Sequence, residues 1–200
     1  MTENETPAEA PANRRDLPLF EIVMGGGVLL ISLISLFVAV SANHTQERML
    51  AASVWPSLVF ATGNAGPDGS PQVSFDLVNR GVGPARVRWA ELRYRGTAMQ
   101  DTRALLAACC GANADHGLHF TTSGLQHRVV GAGEWIQLLR VPPPEGASAA
   151  YEALSRERMN VRLRLCYCSV LDECWVLDSD NDDPEPVKRC PAPPAVHWNG

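Results

Sequence analysis

The six cysteines are the side chains best suited to chemistry, because thiols form disulfides, exchange electrons and bind soft metals. Their even number predicts disulfides in an oxidising compartment. Cys168 and Cys174 face each other across an expected hairpin, within bridging reach, whereas adjacent Cys109 and Cys110 are expected to pair poorly with each other and to reach separate partners, Cys166 being one candidate. The full set, whose connectivity the sequence leaves open, is Cys109, Cys110, Cys166, Cys168, Cys174 and Cys190.

A thiolate metal site is the alternative use of these cysteines. Cys109 and Cys110 with the Cys166/Cys168 pair and a histidine could bind copper(I) or zinc. However, the sequence contains no CxxC motif. Outside the cytoplasm, thiolates also compete poorly with disulfide formation. Disulfides are therefore favoured, and no metal or other cofactor is predicted.

His116, His119 and His127 form the only histidine cluster, and Asp115 could complete a metal site there. No helix would fix the geometry of these side chains, so exposed loop residues are the favoured interpretation.

An acidic run near the C-terminus places Asp178, Asp180 and Asp182 at alternate positions, as in a calcium-binding loop. The pattern then fails, because such a loop needs glycine where Asp183 stands and glutamate where Arg189 stands. A solvated acidic segment is favoured.

Four arginines occupy the outward parity of two predicted strands and are the candidate binding residues. They are Arg86, Arg88, Arg162 and Arg164. On neighbouring strands their guanidinium groups would form a basic patch able to bind carboxylates or phosphates bidentately. The alternative is a charged face that keeps the protein soluble and discourages edge pairing.

The sequence shows no catalytic signature. Motifs such as GxSxG, HExxH and GxxxxGK are absent, and the only lysine, Lys188, lies in a stretch rich in Pro and Asp. No catalytic residue is predicted, and an enzyme is disfavoured. The net charge of −5 also argues against a nucleic-acid partner, which would need a basic field.

Residues 22–42 are uncharged and long enough to cross a bilayer as a helix. The alternative is a signal peptide cleaved after Ala42, since residues 40–42 are small. The long acidic N-terminal segment favours an uncleaved signal anchor. Arg14 and Arg15 before the helix against Arg48 after it predict a cytoplasmic N-terminus, and the cysteines after the helix agree with that orientation.

The expected organisation has five parts. These are a cytoplasmic tail (1–20), a transmembrane signal anchor (21–42), a juxtamembrane helical stalk (43–55), an extracytoplasmic β-sandwich domain (56–178) and an acidic, proline-rich C-terminal tail (179–200). Trp55-Pro56 should end the stalk helix, because a residue before proline disfavours the α region.

Short alternating runs separated by Gly and Pro make the domain mainly β. Residues 71–79 alternate as a half-buried strand, a bulge is expected near Ala90 and Glu91, and further strands are expected at 118–122, 127–131 and 134–141. Two short helices are predicted at 101–110 and about 148–158, before a hairpin over 161–177. This pattern predicts an antiparallel immunoglobulin-like β-sandwich, with a small barrel as the alternative.

Trp55-Pro56 and the run VSFDLVNRGVGPARVRW at 73–89 resemble the opening strands of bacterial immunoglobulin-like ectodomains. With the apolar segment and CYCSVLDECW at 166–175, the chain resembles single-pass bacterial inner-membrane envelope proteins with such ectodomains. The resemblance implies a fold and a periplasmic location for the domain. It implies no activity.

The sequence therefore favours a membrane-anchored extracytoplasmic binding or scaffolding module. Its partners would be the lipid bilayer, through residues 22–42, and an envelope protein or an anionic polymer. One alternative is an envelope protein that handles disulfides or copper. Another is an accessory subunit of a membrane complex, for which Ser35 and Ala39 offer a small-residue helix contact.

Overall fold

The structure is a computed structural model that describes residues 19–66, 68–111 and 117–200. Its backbone divides into two compact units, Met1–Arg48 and Met49–Gly200.

A single helix, α1 (Leu19–Ser53), contains the whole uncharged segment. It is long and apolar enough to cross a membrane, and none of its residues is buried. A signal sequence passes the same test of length and composition. The helix ends before Trp55-Pro56, as predicted, because the ring of proline disfavours helical geometry at the preceding residue.

The chain after α1 forms two antiparallel sheets and two short helices. The strands are β1 (Leu58–Ala65), β2 (Pro71–Asn79), β3 (Ala85–Tyr94), β4 (Thr97–Met99), β5 (Thr121–Thr122), β6 (Val129–Val130), β7 (Trp135–Val141), β8 (Val161–Cys168), β9 (Cys174–Asp178) and β10 (Glu185–Val187). The helices are α2 (Thr102–Cys110) and α3 (Ala149–Glu157). The first sheet has the order β1-β2-β7-β5, and the second has the order β10-β9-β8-β3-β4, with β6 paired to β3.

One hydrophobic cluster contains inward side chains from both sheets. Phe75 and Leu77 come from β2, and Leu92 and Leu165 come from β3 and β8. Both short helices were predicted and also contribute to this cluster. Asp101 caps α2 by accepting a hydrogen bond from the backbone N–H of Ala104 at 2.9 Å, as the sequence indicated.

The turn between β2 and β3 is fixed by close backbone approach. The carbonyl of Trp55 accepts hydrogen bonds from the N–H groups of Val82 and Gly83, at 3.0 and 3.2 Å. A Cβ on Gly83 would collide with the carbonyl of Val54. The buried Asn79 side chain ties the turn to Ser57, Gly81, Gly83 and Val130 through four hydrogen bonds. The turn therefore requires asparagine for its hydrogen bonds and glycine for the close approach of the backbone.

The bulge in β3 lies earlier in the strand than predicted. The register with β8 shifts between Val87 and Trp89, rather than near Ala90 and Glu91. Trp89 consequently lies opposite Cys166, on the face of the sheet away from the main cluster. Strand β1 was not specifically predicted, and it pairs with the side of β2 opposite β7.

Strand β2 has its predicted bounds but is not half-buried. Its inward residues Val73, Phe75 and Leu77 are buried as expected. However, the polar side chains of Gln72, Ser74 and Asp76 on the opposite face are also at most 4% exposed. The alternation is correct, and only the inference that the polar face is solvated is wrong.

The C-terminal residues 179–200 pack against the domain instead of forming only an irregular tail. They contribute β10 and a fully buried Trp198, whose backbone N–H donates to the carbonyl of Ala90 at 2.8 Å. Cys190 anchors the segment to Cys166, in line with the expected tie through Cys190. The sequence missed this packing because the segment shows no hydrophobic periodicity.

Candidate binding surfaces on the two sheets

All six cysteines are paired at disulfide distance. The pairs are Cys109–Cys110, Cys166–Cys190 and Cys168–Cys174. The pair across the β8–β9 hairpin was predicted. The expectation for Cys109 and Cys110 is wrong: these neighbours pair with each other at the end of α2, and Cys166 is held by Cys190 instead.

The two disulfides on β8 lie side by side on the outer face of the second sheet. The Sγ atom of Cys168 is 3.7 Å from that of Cys190. The indole of Trp89 packs beside Cys166, and its Nε1 donates to the carbonyl of Pro191 at 3.0 Å. The C-terminal segment thus covers this part of the sheet.

The four predicted binding arginines share the outer side of the second sheet, but each is paired with a carboxylate. This arginine face consists of Arg86, Arg88, Arg162 and Arg164, with Asp172, Asp178 and Asp180 as the partners. Asp172 contacts two of the arginines, and Arg164 also lies over the ring of Trp89 at 5.8 Å from its centre. These internal pairs leave less positive field for an external anion.

The predicted calcium-like run is part of the same arrangement. Asp178 lies 3.7 Å from Arg164, and Asp180 lies 2.5 Å from Arg162, while Asp182 is exposed. Two of the three acidic side chains therefore serve as counter-charges to arginine.

The histidine cluster finds no support in the part of the chain that is described. His119 and His127 are both exposed and lie in no group of potential metal ligands among residues 19–66, 68–111 and 117–200. His116 and Asp115 lie outside the described residues.

A groove of about 420 Å³ opens on the outer face of the first sheet. Its lining, which we call the outer groove, consists of Asp68, Gln72, Trp135, Gln137 and Arg140. Gln72 lies on β2, and Trp135, Gln137 and Arg140 lie on β7, where a register shift keeps all three on the outer face. None of these residues was a candidate from the sequence.

Small residues on β1 pack closely against the centre of this face. Ala61 stands opposite Asp76, and Gly63 stands opposite Ser74. A Cβ added at Gly63 would lie 3.3 Å from the hydroxyl of Ser74, so a larger residue there would have to displace that hydroxyl.

Asp76 is the most unusual residue of this face. It is 4% exposed and stands directly opposite Gln137 of the outer groove. Its Oδ2 accepts a hydrogen bond from Ser74 at 2.7 Å, but its buried Oδ1 has no hydrogen-bond partner among the described residues. A buried carboxylate oxygen without a partner costs free energy, so its retention needs a reason.

The charged ends of the groove are held in place. Arg140 donates from Nε to the amide oxygen of Gln72 at 2.6 Å. Hydrogen bonds from the Ser70 hydroxyl and backbone hold the pKa of Asp68 below its usual value, and Arg140 lowers this pKa further. Asp68 therefore remains an ionised acceptor at neutral pH.

Trp135 divides the outer groove from a second hollow of about 540 Å³, which Ala61, Val78 and Arg80 help to line. The tryptophan is 54% exposed, although large aromatic side chains normally gain by burial. The exposed ring thus borders both the outer groove and this second hollow.

This surface was not predicted from the sequence, because none of its residues belongs to a recognisable motif and each is of a type common in strands. The available signal is the alternation of polar with apolar residues over 71–79, which predicts a half-buried strand with a solvated polar face. The burial of these polar residues depends on β7, some sixty residues further along the chain.

Comparison with known proteins gives no assignment. No family model matches the chain, and no curated protein and no solved structure matches it.

Proposed function

We propose that this protein is a single-pass membrane protein that presents a disulfide-linked binding or scaffolding domain on the extracytoplasmic side. The proposal rests on the order in which the apolar segment and the cysteines follow each other along the chain. An uncharged segment of α1 comes first, and all six cysteines follow it, paired at disulfide distance. Paired cysteines in this number are typical of oxidising compartments, which supports an extracytoplasmic location, and the location we propose is the bacterial periplasm.

The domain is proposed to be an immunoglobulin-like β-sandwich. The orders β1-β2-β7-β5 and β9-β8-β3-β4 correspond to the A-B-E-D and G-F-C-C′ sheets of that architecture. One feature departs from antibody domains. Their disulfide joins the two sheets beside a core tryptophan, whereas here Trp89 and the disulfide Cys166–Cys190 lie on the outer side.

Binding is favoured over catalysis because no group of activated side chains accompanies the grooves among the described residues. The arginines of the arginine face already pair with aspartates of the same domain, which weakens the case for an anionic polymer as partner. The outer groove has an exposed aromatic ring, and beside it lies the buried Asp76 Oδ1, which has no hydrogen-bond partner among the described residues. Interfaces favour such aromatic rings as anchors. We therefore propose a partner in the envelope that contacts the first sheet.

The location is tested with a C-terminal epitope tag and protease added to spheroplasts. Loss of the tag without lysis, with a cytoplasmic marker intact, is the expected result. A tag protected until lysis would contradict an extracytoplasmic domain.

The binding role is tested by a photocrosslinking residue at Trp135, with Arg88 as the matched position on the other sheet. Adducts specific to position 135 are expected, and their absence would contradict the role.

A second candidate, thiol–disulfide exchange, is favoured by the 3.7 Å contact between the sulfurs of Cys168 and Cys190. If an external dithiol reduced Cys168–Cys174, the Cys168 thiolate could attack Cys190 and release Cys166 as a thiolate. That step conserves electrons, since one disulfide replaces another. Disulfide mapping after treatment with one equivalent of a dithiol separates the candidates: a new Cys168–Cys190 pair with a free Cys166 supports exchange, and retention of the Cys166–Cys190 pair supports the binding module.

A further inference from the structure

We propose that the outer groove binds a saccharide chain through Trp135 and the polar row that ends at Asp76. The inference rests on the proposed binding function and names the chemical class of its ligand. Sugar hydroxyls both donate and accept hydrogen bonds, and a pyranose ring has a flat face of C–H groups. A site for such a ligand needs mixed polar groups beside an exposed aromatic ring.

The outer groove supplies donors and acceptors together. The amides of Gln72 and Gln137 offer both kinds of group, Arg140 donates only, and Asp68 accepts only. The opposite charges of Asp68 and Arg140 cancel. The chemistry of this lining fits a neutral, polyhydroxylated ligand better than an ion.

The unpartnered oxygen of Asp76 is a feature that the fold of this face does not require. This Oδ1 atom is buried at the position opposite Gln137 and finds no hydrogen-bond partner in the part of the chain that the structure describes. Buried polar atoms in native proteins nearly always have a hydrogen-bond partner. The Oδ1 atom is covered, so a ligand hydroxyl would reach it only when the Gln137 side chain moves aside, and that hydroxyl would then supply the missing donor.

Trp135 supplies the apolar contact. Its ring is 54% exposed and borders the groove and the neighbouring hollow, so a chain of linked sugars could stack on it and extend both ways. Tryptophan suits this role because it offers a large rigid surface at a low cost in side-chain entropy.

Other ligand classes fit less well. An extended peptide binds most readily at a free strand edge through its main chain, whereas this groove lies on the face of the sheet between paired strands. An anion would face the carboxylates of Asp68 and Asp76. The occupant we commit to is therefore a saccharide.

The test is calorimetric titration of the full-length protein in phosphatidylcholine nanodiscs. Sugar-headed detergents are excluded because they would compete. The probes are the β-1,4-linked tetrasaccharides of glucose and of N-acetylglucosamine. Saturable binding of at least one probe is expected, and W135A should weaken it at least about tenfold because it removes the central aromatic contact. W55A is the matched control, since Trp55 is 50% exposed, and it should bind as the parent does.

Two further variants test the polar row. Q137A and D76N should each weaken binding about fivefold, since each removes or alters one hydrogen bond to the sugar. Thermal unfolding of every variant confirms that it is folded. Nanodiscs containing glucosyl diacylglycerol distinguish sources: reduced titration heat there assigns a lipid headgroup, and unchanged heat assigns a free or polymeric chain.

The inference is overturned if the folded protein binds neither tetrasaccharide, or if W135A and W55A bind equally well. Failure here is distinguishable from failure of the proposed function. Protease accessibility of the tag and crosslinks at position 135 would still support an extracytoplasmic binding module whose ligand is a protein.

Discussion

The outer faces of the two sheets differ in how completely their polar groups are paired. On the second sheet, the four arginines are matched by three aspartates, and Cys190 holds the C-terminal segment against the disulfide-bearing strands. On the first sheet, a groove remains open beside an exposed tryptophan and a buried carboxylate oxygen that has no hydrogen-bond partner among the described residues. A large number of charged side chains on a face therefore does not mean that those side chains are free to bind a partner.

Removing the Cys166–Cys190 disulfide should produce the largest loss of stability, because it releases the C-terminal segment from the outer face of the second sheet. The bond closes a loop over 24 positions, so C166A/C190A should lower the free energy of unfolding by about 3 kcal/mol. Guanidinium denaturation followed by circular dichroism measures the change.

The matched control is C109A/C110A, which removes a disulfide between adjacent residues. Its loop is too short to restrict the unfolded chain appreciably, so little loss of stability is expected. Equal losses in both double variants would show that the C-terminal segment does not depend on its disulfide.

Replacing Asp76 should sharpen the contrast at the open face. D76N exchanges a buried carboxyl group, one oxygen of which has no hydrogen-bond partner among the described residues, for an amide, so the free energy of unfolding should rise by about 1 kcal/mol. Urea denaturation of the variant beside D182N, which alters an exposed aspartate, measures this. A clear loss of stability specific to D76N would mean that the carboxylate is a structural acceptor.

Breaking one ion pair of the arginine face should have a small effect. Arg162 and Asp180 are 41% and 63% exposed, so R162A should cost about 0.5 kcal/mol. A double-mutant cycle with D180N isolates the coupling between the two side chains. Coupling well above about 1 kcal/mol would indicate a rigid network rather than solvated pairs.

Truncating Trp135 should leave stability almost unchanged. Because about half of the side chain is in solvent, W135A should shift the free energy of unfolding by less than about 0.5 kcal/mol. Thermal unfolding measures this shift. A large loss would assign the ring to the fold and remove the reason to regard it as a ligand contact.

Local patterns predicted much of the fold. The bounds of β2, the caps of α2, the end of α1 and the β8–β9 hairpin all follow from short-range sequence signals. Each depends on residues close together in the chain, such as Asp101 with Ala104. The cross-hairpin pair Cys168–Cys174 was predictable for the same reason.

Long-range neighbours account for what the sequence did not predict. The partner of Cys166 lies 24 positions away in a segment without periodicity, and the bulge position depends on which β8 residues pair with Val87 and Trp89. The outer groove exists only because β7 inserts beside β2 and places Gln137 opposite Asp76. The arginine face was located correctly, but its counter-charges were not recognised: Asp178 ends β9 opposite Arg164, and Asp172 and Asp180 lie in the turns before and after that strand.

The central claim is an uncleaved anchor followed by a fully oxidised domain. The most direct test is the intact mass of the natively expressed protein, with and without reduction before alkylation. The account predicts the full-length mass and six alkylated cysteines that appear only after reduction. A mass beginning at Asn43, or alkylation before reduction, would contradict it.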